Sequence, residues 1–256
     1  MGLESRLDEF LRNHKEILRK GNYFIARKSK VPIRLPVGLT PDLCRILGIM
    51  HGDGNMSCKR LLITDRNREY HNYLQTLFGR TFGLKLNVFH DENRNTFYSH
   101  SKNTVVYKFL TDVLDLPAGP VRPSILIPRF IRDASVELQS EYIAGVFDSE
   151  SHIRKRQAEI DFSTTSEELW NFVKTYLRKI GINFSARIRK RRENPEFEIF
   201  IYGKGNLSIF NSHVELKHPD KRERINLFLP SLNTPVVLAV NHAHLTLAFL
   251  RGMPES

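Results

Sequence analysis

Two short segments of the chain share one residue pattern, and each contains an acid at its penultimate position. The first segment is residues 46–54 (ILGIMHGDG) and the second is residues 143–151 (IAGVFDSES). They align without a gap at a separation of 97 positions. The acids are Asp53 and Glu150, and each is followed by a small residue that can end a helix. A carboxylate repeated at equivalent points of a duplicated segment is a candidate for metal binding or acid–base chemistry.

Small residues also recur within both segments, at the third and seventh positions. Residues four apart lie on one face of a helix, so a small pair there lets two helix backbones approach closely. If the two helices pack through these faces, Asp53 and Glu150 emerge side by side at the helix ends. The predicted helix interface consists of Gly48, Gly52, Gly145 and Ser149.

The chemistry of such an acid pair favours a divalent cation. Two carboxylates held close together repel each other, and a metal ion between them removes that penalty. The carboxyl ends of helices carry partial negative charge, which further favours a cation. Oxygen ligands and water suit Mg²⁺, and an ion beside a phosphate chain can activate water and stabilise the leaving oxygen. We therefore predict metal binding at Asp53 and Glu150, with Gly52 and Ser149 as neighbouring ligand positions.

Composition limits the class of protein and of partner. The chain has 256 residues, a formal net charge of +11 and 41% apolar residues, enough for a buried core in one large domain or two small ones. No apolar run is long enough to span a membrane, and the first residues do not form a signal peptide. Two cysteines, Cys44 and Cys58, cannot make a disulfide framework. We expect an intracellular, cytoplasmic protein, nucleoid-associated in a prokaryote or organelle-encoded, with a polyanionic partner.

The predicted elements repeat in the same order. An amphipathic helix is predicted over residues 3–20, and the helix from Leu43 to about Gly52 starts at Thr40-Pro41-Asp42. A capping box at Thr165-Ser166-Glu167-Glu168 is predicted to open a later helix. The further predictions are a hairpin at 55–64, helices at 65–78, 103–114, 135–149 and from 206, and strands within 84–100, 152–163 and 184–202. The predicted order α-β-β-α-β-β-α therefore occurs twice along the chain.

These motifs resemble those of the LAGLIDADG homing endonucleases of the single-chain type, which carry two motif copies. The resemblance covers residues 41 to about 229 and includes Ile127-Pro128 and the segment 218–222 (HPDKR). His51 and Ser151 depart from the usual motif residues. The resemblance implies an α+β fold of two pseudo-symmetric αββαββα repeats, with the motif helices at the centre and antiparallel sheets forming a saddle over DNA. It also implies that Asp53 and Glu150 bind two or more Mg²⁺ ions, for which Mn²⁺ can substitute.

The same resemblance sets the expected domain boundaries. Residues 1–40 are predicted to be an N-terminal extension with an amphipathic helix. The first repeat is expected at 41–122 and the second at 123–232. Residues 233–256 are predicted to be a tail packed on the core.

Basic residues supply the remaining candidates. The resemblance also implies a basic residue near each active site, often a lysine after the last strand of a repeat. Lys102 and Lys204 occupy these places, where a lysine would stabilise charge in the transition state or perturb the attacking water. Arg187, Arg189 and Arg191 alternate along a predicted strand and Arg154 and Arg156 lie on another, which predicts a basic sheet face. The predicted DNA contacts are Arg154, Lys155, Arg156, Arg187, Arg189, Lys190, Arg191 and Arg192, with Arg94, Tyr98 and His100 as weaker candidates.

We therefore expect a monomeric, Mg²⁺-dependent, site-specific endonuclease encoded by a mobile intron. The resemblance implies cleavage of both strands of a long, partly asymmetric double-stranded DNA site, leaving 3′ overhangs. Two alternatives keep the fold and change the class: a maturase that binds intron RNA, and a DNA-binding regulator. Regulators on this fold usually lose the motif acids, and both acids are present here.

Overall fold

A computed structural model describes residues 3–27, 31–119, 125–191 and 194–229 of the chain. The predicted tail at 233–256 and the candidate Arg192 lie outside the described residues. None of the helices within the described ranges combines the length and the apolar character needed to cross a membrane.

The helix in the N-terminal extension is shorter than the sequence predicts. Helix α1 spans Leu3–Asn13 and buries Leu3, Leu7 and Phe10. Strands β1 (Ile17–Lys20) and β2 (Tyr23–Ala26) follow and pair antiparallel. The prediction of one helix over 3–20 is therefore wrong in its second half. The physical reason is the turn at Gly21, whose φ of +60° closes a hairpin and pairs Ile17 with Ala26.

The first repeat begins with a helix that is buried from Leu43 to Gly52. Helix α2 spans Pro41–Gly52, and the side chain of Thr40 accepts a hydrogen bond from the N–H of Leu43 at 3.2 Å, as the N-cap pattern predicts. The elements that follow are β3 (Gly54–Asn55), β4 (Leu61–Asp65), α3 (Arg68–Phe82), β5 (Asn87–Asp91), β6 (Thr96–Ser101) and α4 (Thr104–Lys108), which continues into a π-helical turn at Phe109–Val113.

The second repeat has the same order. After the short helix α5 (Arg129–Arg132) come α6 (Val136–Glu150), β7 (Ser151–Ile153), β8 (Glu159–Thr164), α7 (Glu167–Lys179), β9 (Phe184–Arg189), β10 (Glu196–Tyr202), α8 (Lys204–His213) and α9 (Pro219–Asn226). The capping residue of α7 is Ser166, whose hydroxyl accepts from the N–H of Leu169 at 3.2 Å. The predicted capping box starting at Thr165 is therefore wrong. The cap lies one residue later, position N3 is then Leu169, which has no carboxylate, and Glu168 accepts from the N–H of Ile127 instead.

The two repeats build matching antiparallel sheets. Their strand orders are β3-β4-β6-β5 and β7-β8-β10-β9, so each strand of the first sheet has a counterpart in the second. Helices α2 and α6 pack against each other, and both contribute apolar side chains to the core. This architecture places the carboxyl ends of the two motif helices at the junction of the repeats.

Candidate catalytic centre and nucleic-acid surface

Helices α2 and α6 are in backbone contact at two glycines. A Cβ at position 48 would collide with the carbonyl oxygen of Tyr142 and lie 2.9 Å from the backbone nitrogen of Val146. A Cβ at position 145 would collide with the carbonyl oxygen of Arg45 and lie 2.8 Å from the backbone nitrogen of Ile49. Gly48 and Gly145 are therefore the only choice at these positions that leaves both helices in place.

The same packing brings the two acids to one place. Asp53 is the C-cap of α2, where its N–H donates to the carbonyl of Ile49 at 3.0 Å, and Glu150 is the last residue of α6. A Cβ at position 52 would collide with the side chain of Ser149 and lie 3.2 Å from the Cγ of Glu150. The end of α2 thus touches the side chain of Glu150, and both acids are half-buried.

A lysine that the sequence reasoning missed lies beside the acids. The Nζ of Lys221 donates to three carbonyl oxygens at the end of α6: Phe147 at 2.9 Å, Asp148 at 2.6 Å and Ser149 at 3.2 Å. Burial lowers the pKa of Lys221, and the carboxylates of Asp148, Asp53, Asp65 and Glu150 act in the opposite direction. The family resemblance includes the segment 218–222, but its residue pattern does not assign Lys221 a chemical role.

Asp148 anchors this lysine's segment from within the core. Its buried carboxylate accepts from the backbone N–H groups of Lys217 at 2.9 and 3.1 Å and His218 at 2.9 Å, and from Arg45 at 3.3 Å. Burial raises the pKa of Asp148, while these hydrogen bonds and the charge of Arg45 oppose the rise. Arg45 is itself buried and also binds Glu141 at 2.7 Å and the carbonyl of Glu215 at 2.9 Å.

Further polar contacts connect His218, which binds Asp148, to the first repeat. The Nε2 of His218 lies 3.3 Å from both carboxylate oxygens of Asp65, and its ring packs on Tyr70 at 4.9 Å between centroids. Burial opposes ionisation of Asp65, but hydrogen bonds from His218 and the N–H of Asn67 hold its pKa below the usual value. The segment after α8 therefore joins both repeats under the acid pair.

The two predicted catalytic lysines occupy exposed positions. Lys102 directly follows β6, and Lys204 is the first residue of α8. Lys102 lies near His100, where its charge, after burial and the charge of Arg60, lowers the pKa of that imidazole. A catalytic role for either lysine stays a prediction.

The donor set at the helix ends fits a hard divalent cation that keeps much of its water. Within the described ranges, no three His, Cys, Asp or Glu side chains converge on one point, so Asp53 and Glu150 would act as a pair. The hydroxyl of Ser149 donates to the carbonyl of Gly145 at 3.2 Å, and its carbonyl already accepts from Lys221. Mg²⁺ is commonly held by one or two carboxylates together with water and substrate phosphates, which matches this set.

The predicted basic face exists on the second sheet, with a different distribution from the one expected. Arg187 and Arg189 lie on edge strand β9, whereas Lys190 and Arg191 follow its end. Arg154, Lys155 and Arg156 lie in the turn between β7 and β8, so the prediction that Arg154 and Arg156 are on a strand is wrong. The turn forms because the N–H of Arg154 bonds back to the carbonyl of Glu159 at 3.1 Å.

Acids on the neighbouring strands pair with these arginines. Glu198 on β10 forms ion pairs with Arg187 and with Arg189, the latter at 3.4 Å. Arg191 pairs with Glu196 at 2.6 Å, and Arg154 pairs with Asp161 at 2.9 Å. The face is thus an alternating array of donors and acceptors rather than a uniform positive patch.

A cavity of about 360 Å³ extends from this face to Glu150. Its lining includes Glu150, His152, Arg154, Arg187 and Arg189. A phosphate or base edge entering this depression would meet arginine side chains and the motif acid together.

The corresponding face of the first sheet is aromatic. Tyr98 on β6 stacks on Phe89 of β5 with centroids 4.7 Å apart, and His100 meets the same ring edge-on at 5.9 Å. Arg94 is exposed in the turn between β5 and β6, 3.8 Å from Asp91. The three weaker DNA candidates therefore lie on or beside one face of this sheet.

Comparison with known proteins gives a family match within the second repeat. A family profile described as "LAGLIDADG-like domain" matches residues 137–215. The chain is 25% identical over 223 residues to glutamine--fructose-6-phosphate aminotransferase [isomerizing] of Methanocaldococcus jannaschii, covering 85% of this chain and 20% of the relative. It is 24% identical over 232 residues to a probable translation initiation factor IF-2 of the same organism, covering 88% and 19%. The chain spans about one fifth of the length of these curated relatives.

Solved structures share the fold. Full-length DUF199/WhiA from Thermatoga maritima superimposes with a TM-score of 0.51 at 13% identity, covering 75% of this chain and 62% of that one. The homing endonuclease I-DmoI in complex with DNA and Mn superimposes with a TM-score of 0.50 at 13% identity, covering 68% and 97%. These findings confirm the predicted α+β fold class and the LAGLIDADG resemblance.

Proposed function

We propose that this chain, which carries a LAGLIDADG-like domain on a LAGLIDADG fold, is a divalent-metal-dependent, site-specific endonuclease for double-stranded DNA. The observation that carries the proposal is the convergence of Asp53 and Glu150 at the ends of two helices in backbone contact. Paired acids at such a junction suit phosphodiester hydrolysis, because a bound divalent ion there supplies Lewis-acid stabilisation and lowers the pKa of water.

The chain's own residues would position the DNA and the ions. Asp53 and Glu150 would hold the ions, and the rigid α2–α6 contact would keep their separation fixed. The arginines of the second sheet would bind phosphates and base edges, since guanidinium groups pair with guanine and carboxylates accept from cytosine. The aromatic face of the first sheet offers apolar contact to thymine methyl groups.

The curated relatives support a mobile-element origin. Their names describe an aminotransferase and a translation factor, two unrelated activities, yet each contains one segment similar to most of this chain. A segment that recurs inside unrelated proteins is expected of an inserted element that carries its own endonuclease. We therefore propose a homing role, in which the cut is made at an insertion site that lacks the element.

A DNA-binding regulator is the second candidate, and the superposition on WhiA favours it. Such a protein would use the sheets to bind DNA without needing an acid pair. Retention of both acids at the helix junction is the feature that separates the two functions.

The decisive experiment measures binding and cutting on the same DNA. Bound sequences are first selected from a random duplex pool in Ca²⁺ and then incubated with Mg²⁺. Wild-type protein should make a double-strand break, whereas Asp53→Asn and Glu150→Gln should bind equally and fail to cut. Asp133→Asn, an exposed acid in the loop after α5, is the matched control and should cut normally. Binding without cutting by the wild type would favour the regulator, and cutting by both acid variants would remove the proposed site.

A further inference from the structure

Lys221 lies beside the acid pair, and the proposed function assigns it no role. It stands two residues into α9, beyond the second repeat's sheet, and its side chain turns inward to the end of α6. Three carbonyl oxygens of α6 accept from the Nζ of Lys221, so a lysine side chain caps the end of this motif helix. A lysine at the surface of a helix would normally extend into solvent.

The position of Lys221 is fixed by contacts other than its own side chain. Asp148 holds the backbone at Lys217 and His218, and His218 in turn binds Asp65. Pro219 starts α9 immediately afterwards. Because these anchors are independent of the ammonium group, its approach to the α6 carbonyls is set by the fold.

The charge of Lys221 must therefore influence the acid pair. One accepting carbonyl belongs to Ser149, the residue before Glu150. The ammonium group therefore contacts the backbone directly before the second motif acid. Divalent ions would bind at the same helix end, attracted by the same carbonyl dipoles and carboxylates. An ammonium charge at that point stabilises the two carboxylates and repels an incoming divalent ion.

We infer that Lys221 is a positioning residue whose ammonium charge keeps divalent-ion binding by the free protein weak, so that ions are held firmly only once DNA phosphates add negative charge. This inference rests on the proposed function, because it assumes that Asp53 and Glu150 form the metal site. It assigns Lys221 a role distinct from that of Lys102 and Lys204, which are exposed.

The test separates the charge of Lys221 from its hydrogen bonds. Lys221→Gln keeps an N–H donor for the α6 carbonyls and removes the charge, whereas Lys221→Arg keeps both. Mn²⁺ affinity of the DNA-free protein is measured by isothermal titration calorimetry. Lys221→Gln should bind Mn²⁺ about tenfold more tightly than wild type, because one repelling charge close to a divalent ion is lost. Lys221→Arg should bind like wild type.

Two controls make the result specific. Lys217→Gln removes the same charge four residues away, where the side chain pairs with Glu215, and should leave Mn²⁺ affinity unchanged. Asp53→Asn should abolish the measured binding. If Asp53→Asn binds Mn²⁺ like wild type, the metal site itself is wrong and the role of Lys221 falls with it.

Other outcomes overturn the inference while leaving the metal site intact. Loss of binding in Asp53→Asn, together with unchanged or weaker binding in Lys221→Gln, would mean that Lys221 only caps α6. If Lys221→Gln does not fold, nitrogen-detected NMR of the wild-type lysine ammonium groups replaces it. Mn²⁺ should then broaden the Lys221 signal before that of Lys217, and equal broadening of both would contradict the inference.

Discussion

Gly48 and Gly145 face each other across the two motif helices so closely that a Cβ on residue 145 would lie 3.1 Å from the Cα of Gly48. Neither glycine has a positive φ, so their role is close approach rather than an unusual backbone conformation. The separation of Asp53 and Glu150 depends on this contact, because each acid ends one of the two helices.

Adding a methyl group at this contact should therefore damage both folding and chemistry. Gly48→Ala is expected to lower the free energy of unfolding by roughly 1–3 kcal/mol through overpacking. Any protein that stays folded should cut more slowly, since a misplacement of about 1 Å can cost about 100-fold in rate. Thermal unfolding and single-turnover cleavage measure the two effects.

Gly79→Ala is the matched control for that substitution. Gly79 lies inside α3 with no atom within 4 Å of its would-be Cβ. The alanine should stabilise the protein, by about 0.5–1 kcal/mol from helix propensity. Equal melting temperatures for Gly48→Ala and Gly79→Ala would refute the close-packed helix pair.

Removal of the buried Asp148 carboxylate should destabilise the protein severely. Asp148→Ala leaves Arg45 as a buried charge with one partner fewer and frees two backbone N–H groups, which predicts a loss of about 3–5 kcal/mol in urea unfolding. Asp133→Ala breaks an exposed ion pair with Arg129 and should change stability by less than about 1 kcal/mol. Similar losses in both variants would show that the buried anchor is unimportant.

His51 should make the protein sensitive to acid. Burial lowers the pKa of His51 to about 4, and its Nδ1 lies 2.7 Å from the hydroxyl of Tyr142. An unfolded chain takes up this proton near the ordinary pKa of about 6.5 while the folded protein does not, so stability falls as the pH drops from about 6.5 to about 4. His51 should account for up to about 1.4 kcal/mol of that loss per pH unit.

Urea unfolding at several pH values across this window measures the effect. His51→Gln keeps a hydrogen-bonding partner for Tyr142 and should flatten the dependence. The exposed His213→Gln serves as the control. A slope in His51→Gln equal to that of wild type would mean that His51 does not carry the acid sensitivity.

Substitutions at Glu198 and Arg187 should change DNA affinity in opposite directions. Glu198→Gln removes the acid that pairs with Arg187 and Arg189, so binding of a random-sequence duplex should tighten several-fold. Arg187→Gln should weaken binding and reduce its salt dependence if the guanidinium contacts phosphate. Fluorescence anisotropy over a salt series in Ca²⁺ gives both quantities. Unchanged affinity in both variants would exclude this face from the interface.

The sequence predicted those features whose cause is local or repeated. Thr40 and Pro41 mark the start of α2, and the aligned motifs predict that two equivalent helices end in Asp53 and Glu150. The spacing of apolar residues predicted a helix up to residue 20, but the turn at Gly21 places residues 17–20 in a hairpin strand instead.

Contacts between distant segments could not be predicted in the same way. The ion pairs of Arg187 and Arg189 with Glu198 depend on strand register, which residue spacing along one strand does not reveal. Lys221 meets the α6 carbonyls only because Asp148, more than 60 positions earlier, binds the backbone at Lys217 and His218. The sequence shows that a lysine is present at position 221, but it does not show that this lysine binds the end of α6.

The Asp148 anchor also determines where the chain can be cut into fragments. The recognised domain ends at residue 215, whereas the N–H groups that satisfy Asp148 belong to residues 217 and 218. His218 and Asp220 then bind Asp65 and Asn67 in the first repeat. An expression fragment that stops at residue 215 would remove both backbone N–H partners of the buried Asp148 carboxylate, and a two-part complementation system would have to divide the chain elsewhere.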